Sequence, residues 1–477
     1  MPKRVFFDAT HTLLSGKNSG IERLVRSLLN EFEAVSLESS NESDSDASRQ
    51  VVFTHLGKFY PVDQETVAEL RNVAAWREDI VGCLPATYTT VARKVCNWLR
   101  CSALDKLLLP SSGHLGIFKL LQNYREARCL KKIMRTTEPI SATSDDLFLC
   151  PDAYWPRNTF WEAAAQARKA GATFSIVLFD LIPVTHAELV GEKQRIAFEQ
   201  YLIRLTSAAN LVLAISKTVR DQFSEYLTSS GIDRQTWPTI SWFPLGGNLP
   251  TTQPASNSQE MGSNTLVCSP KDPIRDKISN LFDRTLSATP YLMVASFEPR
   301  KNHRFLLDVF DEIWQTSPDL PLCLVGRIGW QCSELLQRIE THPMLNRSLF
   351  VFHDLSDSEL MYCYQNARGV VLPSLVEGFG LPVVESLRSN RKLFVSDIPI
   401  HHEVGSSDCV YFSLDSTKDL VSTISLWESE IASGTSIDRL NSQSEIVTWK
   451  QSFDKFFGLS LETFRAKHID FQASLSR

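Results

Sequence analysis

The chain has 477 residues, 43% hydrophobic and 22% charged, with a formal net charge of -6. That length exceeds one ordinary hydrophobic core, so two domains are expected, and the acidic balance argues against a dedicated nucleic-acid binder. Ten scattered cysteines with no CxxC pair and no Cys/His cluster at zinc spacing suggest reduced thiols, not a disulfide framework or a structural zinc.

From the start, MPKRVFFDAT is a short basic lead into a strand, RVFFD over 4–8, with an apolar run too short for a signal peptide. A glycine-bearing loop, SGKNSG over 15–20, follows. Apolar residues then recur at Ile21, Leu24, Val25, Leu28 and Leu29, which is helical spacing. Residues 36–48 are rich in Ser, Asp and Glu and predict a solvated loop. Within it, Asp44-Ser45-Asp46 has the DxD form of metal-dependent sugar transfer, a triplet that acidic low-complexity loops also produce by composition alone. Between Val91 and Arg135 stand ten Lys or Arg residues against Asp105 and Glu126, interleaved with the apolar clusters VCNWL, LDKLLLP and LGIFKLL. Such a segment reads either as an interfacial membrane contact or as an insertion packed on the first domain with its basic side in water. No uninterrupted apolar stretch approaches the roughly 20 residues of a membrane span.

Three further strands are predicted at LFLC (147–150), FSIVLF (174–179) and LVLAI (211–215), separated by helical patterns over 162–170 and 194–208. Buried strands alternating with helices imply a doubly wound parallel sheet. The composition changes over 246–269, heavy in Gly, Pro, Ser, Thr and Asn, which marks a linker. A second alternating run then begins: YLMVAS, a helix from His303, PLCLVG, a helix from Glu334, LFVF, a helix from Asp357, GVVLP, a helix from Leu381, and KLFVS. Domains are therefore expected at 1–245, with a basic insertion about 75–140, and at 289–445, joined by a linker over 246–288. IVTWKQSFDKFF (446–457) opens a terminal helical segment, 446–477. Two doubly wound units facing across a cleft would bind ligands at the carboxyl ends of their strands.

Two stretches carry chemistry. EGFGLPVVE, Glu377 to Glu385, leaves a strand and opens a helix. Gly378 and Gly380 permit a tight turn and close backbone approach, Pro382 suits a first helical turn, and a helix start offers unpaired N–H groups to phosphate. Glu385, one turn in, can accept two hydrogen bonds from a vicinal diol such as ribose. SFEPRKN, 296–302, sets Arg300 and Lys301 at a strand's carboxyl end, where two cations could neutralise a diphosphate without a metal. No GxSxG or HExxH nucleophile or metal motif is present.

SFEPRKN, LVGRIGW, SLVEGFGLPVVESL and SDIPIHHEVG, in this order, resemble the donor-binding half of the family-4 retaining glycosyltransferases, which have the GT-B fold. SGIERLVRSLL, FDLIPVTHAEL, LAISKTVRDQF and WFPLGG resemble the acceptor side of the same family. The weakest region lies between about Glu65 and Ser144. The resemblance implies that Arg300 and Lys301 grip the diphosphate and Glu377 touches the transferred sugar. Gly378, Phe379, Gly380 and Leu381 would line the sugar and phosphate turn, and Glu385 would hold the ribose. Gly20 would approach the donor phosphates or the acceptor, Arg327 would flank the nucleotide, and Asp180 sits where relatives carry His-Asp. Phe179 replaces that histidine here; His186 nearby reads as a loop histidine rather than its substitute. Also implied are retention of anomeric configuration, no metal or other cofactor, and a nucleotide-diphosphate sugar, first GDP-mannose, as donor. The acceptor would be a glycan or lipid-linked oligosaccharide in surface polysaccharide or lipopolysaccharide assembly. The place of action would be cytoplasmic, in peripheral contact with the inner face of the membrane. Another GT-B enzyme such as a sugar-nucleotide epimerase, or a non-catalytic subunit of a glycan-assembly complex, are the alternatives.

Overall fold

The computed structural model describes residues 1–15, 20–38, 47–68, 130–155 except 132, 158–247, 273–283, 288–433 except 406 and 408, and 446–475. The chain forms two units, Met1–Leu245 with Trp449–Arg477, and Gly246–Thr448.

In the first unit the strands are β1 (Arg4–Asp8), β2 (Ser48–His55), β3 (Lys58–Val62), β4 (Asp146–Cys150), β5 (Thr173–Leu178), β6 (Leu211–Ala214) and β7 (Thr239–Trp242). They lie in the order β3-β2-β1-β4-β5-β6-β7. Every neighbouring pair is parallel except β2 with β3, a hairpin on the edge. Its helices among the described residues include α1 (Thr10–Ser15), α2 (Gly20–Glu38), α3 (Asn158–Lys169), α4 (Glu192–Ala208) and α5 (Lys217–Ser229). β4 and β5 are buried along their whole length, as expected of strands covered on both faces. On one face Phe6, Phe59, Phe148 and Phe174 form a ring cluster, with Phe148 and Phe174 stacked at 4.6 Å.

The second unit places α6 (Asp276–Phe282) before β8 (Tyr291–Val294), α7 (His303–Thr316), β9 (Leu322–Val325), α8 (Ser333–Glu340), β10 (Leu349–Phe352) and α9 (Asp357–Asn366). There follow β11 (Gly369–Leu372), α10 (Leu381–Arg388), β12 (Leu393–Ser396), α11 (Pro399–Gly405), β13 (Cys409–Phe412) and α12 (Thr417–Ala432). The all-parallel sheet runs β10-β9-β8-β11-β12-β13. Each unit is thus doubly wound, and the order of its parallel strands reverses at one point: between β1 and β4 in the first, between β8 and β11 in the second.

Several expectations change. The stretch read as a glycine loop is helical at both ends: Ser15 closes α1 (Thr10–Ser15) and Gly20 begins α2, with 16–19 outside the described residues. α2 extends through Glu38 and β2 starts at Ser48, so both ends of the stretch expected as a solvated loop are regular structure, and the DxD triplet lies outside the described residues. Of the basic insertion, 69–129 and Lys132 are likewise outside. Residues 273–283, placed in the linker, instead carry α6, whose Ile278, Leu281 and Phe282 pack with Leu292, Tyr364, Val370 and Val383 in the second unit's core. The terminal helix α13 spans Trp449–Leu475, within the segment expected at 446–477. It packs on α2, Phe453 meeting Phe32 at 6.4 Å, and Phe456 meets Phe243 at 5.3 Å. Lys467 Nζ donates to the carbonyls of Gly171 (2.6 Å) and Ala172 (3.1 Å), just past the end of α3. No helix among the described residues is long and apolar enough to cross a membrane.

Candidate active site

The carboxyl ends of β8 and β11 bring the two predicted stretches together. These strands are neighbours, with Tyr291 opposite Gly369 and Leu292 opposite Val370. The chain leaving β8 turns through Pro299–Lys301 and enters α7; the chain leaving β11 runs through Ser374 to Gly380 and enters α10. Leu375 N–H donates to the Arg300 carbonyl at 2.8 Å, stitching one turn to the other.

Side chains complete the join. Arg300 Nη1 donates to Glu377 Oε2 at 2.8 Å, Lys301 Nζ donates to Glu377 Oε1, and Ser374 Oγ donates to the same oxygen at 2.8 Å. Arg300 Nε also donates to Glu298 Oε2 at 3.0 Å. Lys301 and Glu377 are 7% and 8% exposed, so the pair lies almost wholly out of water. Burial would push the Glu377 carboxyl up, but the Lys301 and Arg300 charges and the Lys301 and Ser374 hydrogen bonds bring it down to about 2. Lys301 moves down as well. Burial and the neighbouring Arg300 charge outweigh the attraction of Glu377. Arg300 and Lys301 face Glu298 and Glu377, so these four side chains balance in charge. An anion entering here must compete with Glu377 for its two cations, aided by the N–H groups of the helix start.

The turn itself is specified by Gly380. It is the N-cap of α10 with φ +89°, in the left-handed region, and a Cβ there would stand 3.4 Å from Val383 Cγ2 and 3.9 Å from His401 Cδ2. His401 Nδ1 donates to the Ser396 carbonyl at 2.9 Å, and Ser396 Oγ donates to the Ser374 carbonyl at 2.6 Å. Burial lowers the His401 pKa, so the ring is a neutral support beneath the turn. Gly378, Phe379 and Gly380 are buried. Leu381 is half-buried at the first position of α10. Glu385, one turn further, is 3% exposed and accepts a hydrogen bond from Tyr364 Oη at 2.8 Å.

The remaining predicted residues stand elsewhere. Arg327 is exposed past the end of β9, and its carbonyl accepts from Phe297 N–H at 2.8 Å, tying its loop to the Arg300 loop. Asp180 follows β5 in the first unit and accepts from Ile182 N–H at 3.1 Å. Gly20 is exposed at the start of α2. His186 Nδ1 lies 3.0 Å from Thr185 Oγ1, a contact between neighbours in a loop. Among the described residues no group of three or more His, Cys, Asp or Glu has metal-binding geometry.

Four contributors escaped the sequence reading: Glu298, Ser374, His401 and Tyr364. The first three lie inside the stretches already singled out, so their signal was proximity. Tyr364 sits in α9, 21 positions before Glu385, and nothing in its local pattern sets it apart from a core residue.

Residues 286–428 match the family described as Glycosyl transferases group 1. A serotype-specific mannosyltransferase WbdA of Escherichia coli is 27% identical over 323 residues, 66% of this chain and 37% of that protein. The O-antigen chain mannosyltransferase RfbU of Salmonella typhimurium is 34% identical over 135 residues, 28% of this chain and 37% of that protein. The chain thus spans a little over a third of the length of these relatives. Among solved structures, an E. coli structure titled trehalose-6-phosphate bound with UDP-2-fluoro glucose aligns over 99% of both chains at 9% identity, with a TM-score of 0.48. The match to the glycosyl transferases group 1 family thus falls on residues 286–428, within the second unit.

Proposed function

We propose that this chain is a retaining glycosyltransferase that moves a mannosyl group from GDP-mannose to a glycan or lipid-linked glycan acceptor in surface-polysaccharide assembly. The observation that carries the reading is the buried cluster of Arg300, Lys301 and Glu377, set against the glycine turn that starts α10, inside the family-matched segment. The mannosyltransferase relatives support the choice of sugar.

In this reading the donor's diphosphate takes Arg300 and Lys301 from Glu377, whose released carboxylate turns to the sugar hydroxyls. The N–H groups around Gly378–Gly380 meet the phosphate oxygens, and Glu385 accepts from the ribose diol. As the bond from the sugar's anomeric carbon to the diphosphate oxygen breaks, that carbon bonds to the acceptor oxygen on the same face. The leaving phosphate oxygen takes the acceptor hydroxyl's proton. Positioning and charge stabilisation supply the rate, with no metal and no side-chain base. Gly20 and Asp180 belong to the acceptor side, Arg327 flanks the nucleotide, and the 75–140 segment makes a peripheral contact with the cytoplasmic face of the membrane.

The test is transfer by wild type, Arg300→Ala and Glu377→Ala with GDP-mannose and a mannose-terminated glycan. Each variant should lose about 10²–10³-fold in kcat, the scale of one lost electrostatic stabiliser. Equal turnover by all three proteins overturns the site. A thermal-shift comparison of GDP-, UDP- and dTDP-sugars identifies the nucleotide, because a ligand that binds the native state raises its melting temperature.

A further inference from the structure

We infer that Tyr364 is a positioning residue for nucleotide recognition: its hydroxyl, donated to Glu385 Oε2, fixes the carboxylate that receives the ribose diol. The inference rests on the assignment of Glu385 to ribose in the reading above.

Three observations converge on it. The hydrogen bond is short and direct at 2.8 Å, between a tyrosine of no measurable exposure and a glutamate at 3% exposure. Tyr364 is packed in the same core cluster as Val383 and Leu387, which flank Glu385 on α10, so its ring has little freedom to move. The tyrosine and the glutamate also sit on different helices, α9 and α10. The contact therefore sets the carboxylate relative to a second element and not only along its own helix.

A glutamate has three side-chain torsions, and a diol needs its two acceptor oxygens in one plane and one direction. Anchoring one oxygen to a buried donor removes that torsional freedom before the ligand arrives, and preorganisation of this kind raises affinity without a new ligand contact. Tyr364 Oη, as donor, also leaves both oxygens able to accept, since a carboxylate oxygen carries more than one lone pair. The substrate class is thereby narrowed to nucleotides with both ribose hydroxyls, over deoxyribose forms.

The experiment compares dissociation constants of GDP, UDP and ADP with those of their 2′,3′-dideoxy counterparts, for wild type and Tyr364→Phe. Inorganic pyrophosphate serves as a ligand without ribose. Wild type should prefer the ribose form of its best nucleotide by about tenfold or more, as for two hydrogen bonds to a charged group. Tyr364→Phe should cut that preference by about threefold or more while leaving pyrophosphate affinity within about twofold, a split that general loosening of the fold would not give. If wild type shows the preference and Tyr364→Phe keeps it undiminished, the positioning role is wrong and the ribose assignment stands. If wild type shows no preference, or binds none of the three nucleotides, the assignment of Glu385 falls and this inference with it. Should Tyr364→Phe unfold, Tyr364→Met answers the same question: it fills the core without a hydroxyl and leaves Glu385 in place, and an undiminished ribose preference there likewise overturns the inference.

Discussion

The same point in the two sheets is furnished in opposite ways. Where strand order reverses in the second unit, the buried carboxylate of Glu377 is held by Lys301 and Arg300 and driven down to about 2. Where it reverses in the first unit, Asp8 ends β1 and Asp152 follows β4, both fully buried. There the partners are hydroxyls and amides. Asp152 accepts from Thr12 N–H (2.9 Å), Thr12 Oγ1 (3.0 Å) and Ala153 N–H (2.9 Å), while Asp8 accepts from Thr10 N–H (3.0 Å) and Thr54 Oγ1 (3.2 Å). Burial, reinforced by the Asp8 charge, lifts Asp152 to about 7 against the pull of those hydrogen bonds. One crevice keeps exchangeable charge beside a helix start, and the other uses carboxyl groups to pin α1 against the sheet. A fold places a site, and the side chains decide whether it handles anions.

The comparison breaks most visibly if Glu377 is removed. Glu377→Ala strands Lys301 in a buried setting, and the loss of one partner of a buried pair costs about 3–5 kcal/mol of stability. The midpoint of chemical unfolding measures it. Replacing both partners, Lys301→Met with Glu377→Leu, should recover most of that loss, because Arg300 retains Glu298 and no buried charge is left alone. A double variant as unstable as the single one would mean that the cluster is held by something other than charge pairing.

Asp152 gives the next largest effect, with a definite sign. Its folded pKa is raised, so the folded chain keeps a proton that the unfolded chain has released; stability falls as pH rises from about 4 to about 7 and is level above that. Each pH unit is worth about 1.4 kcal/mol at most, hence a total of up to about 4 kcal/mol. Glu377 is depressed, so its contribution is complete above about 4.5 and disappears only as pH falls towards 2. Between pH 4.5 and 6.5 the buried His303 and His401 of the second unit, both held below the ordinary histidine value by burial, make stability rise with pH. Asp152 is therefore read as the difference between wild type and Asp152→Asn, whose stability should fall less, or rise more, as pH increases in melting curves taken from pH 4.5 to 7. A slope unchanged in Asp152→Asn assigns the titration to another group.

What could be read in advance follows from the same physics. Largely apolar runs such as LFLC, FSIVLF and GVVLP carry their own signal, and all became central strands. EGFGLPVVE and SFEPRKN were legible because a turn, a helix start and a cation pair each leave a local mark. Elements that depend on distant partners were not. α1 is six residues long, and its threonines are tied to Asp8 and to Asp152, some 140 positions away. The β2–β3 hairpin turns at Leu56 and Gly57, both at positive φ, without an Asn-Gly or Asp-Gly signature.

The smallest effect probes the far end of the helix that begins at the glycine turn. Arg388, in the last turn of α10, donates from Nη2 to the carbonyls of Ile446 (3.2 Å) and Val447 (3.3 Å). Gly247 N–H donates to that same Val447 carbonyl at 3.2 Å. The segments by which the chain enters and leaves the second unit thus meet at the Val447 carbonyl, which the arginine also holds. Burial lowers the Arg388 pKa, so its charge is held at some cost and its worth lies in these two bonds. Arg388→Met keeps most of the apolar stem and removes the donors, which should lower stability by about 1–2 kcal/mol. Gly247→Ala attacks the same junction from the other side, since a Cβ there would stand 2.2 Å from Val384 Cγ1 and 2.8 Å from Arg388 Nε. If the junction acts as one unit, the double variant costs less than the sum of the singles, because each alone already disrupts the packing that the other perturbs. Strict additivity would show that arginine and glycine serve the two segments independently.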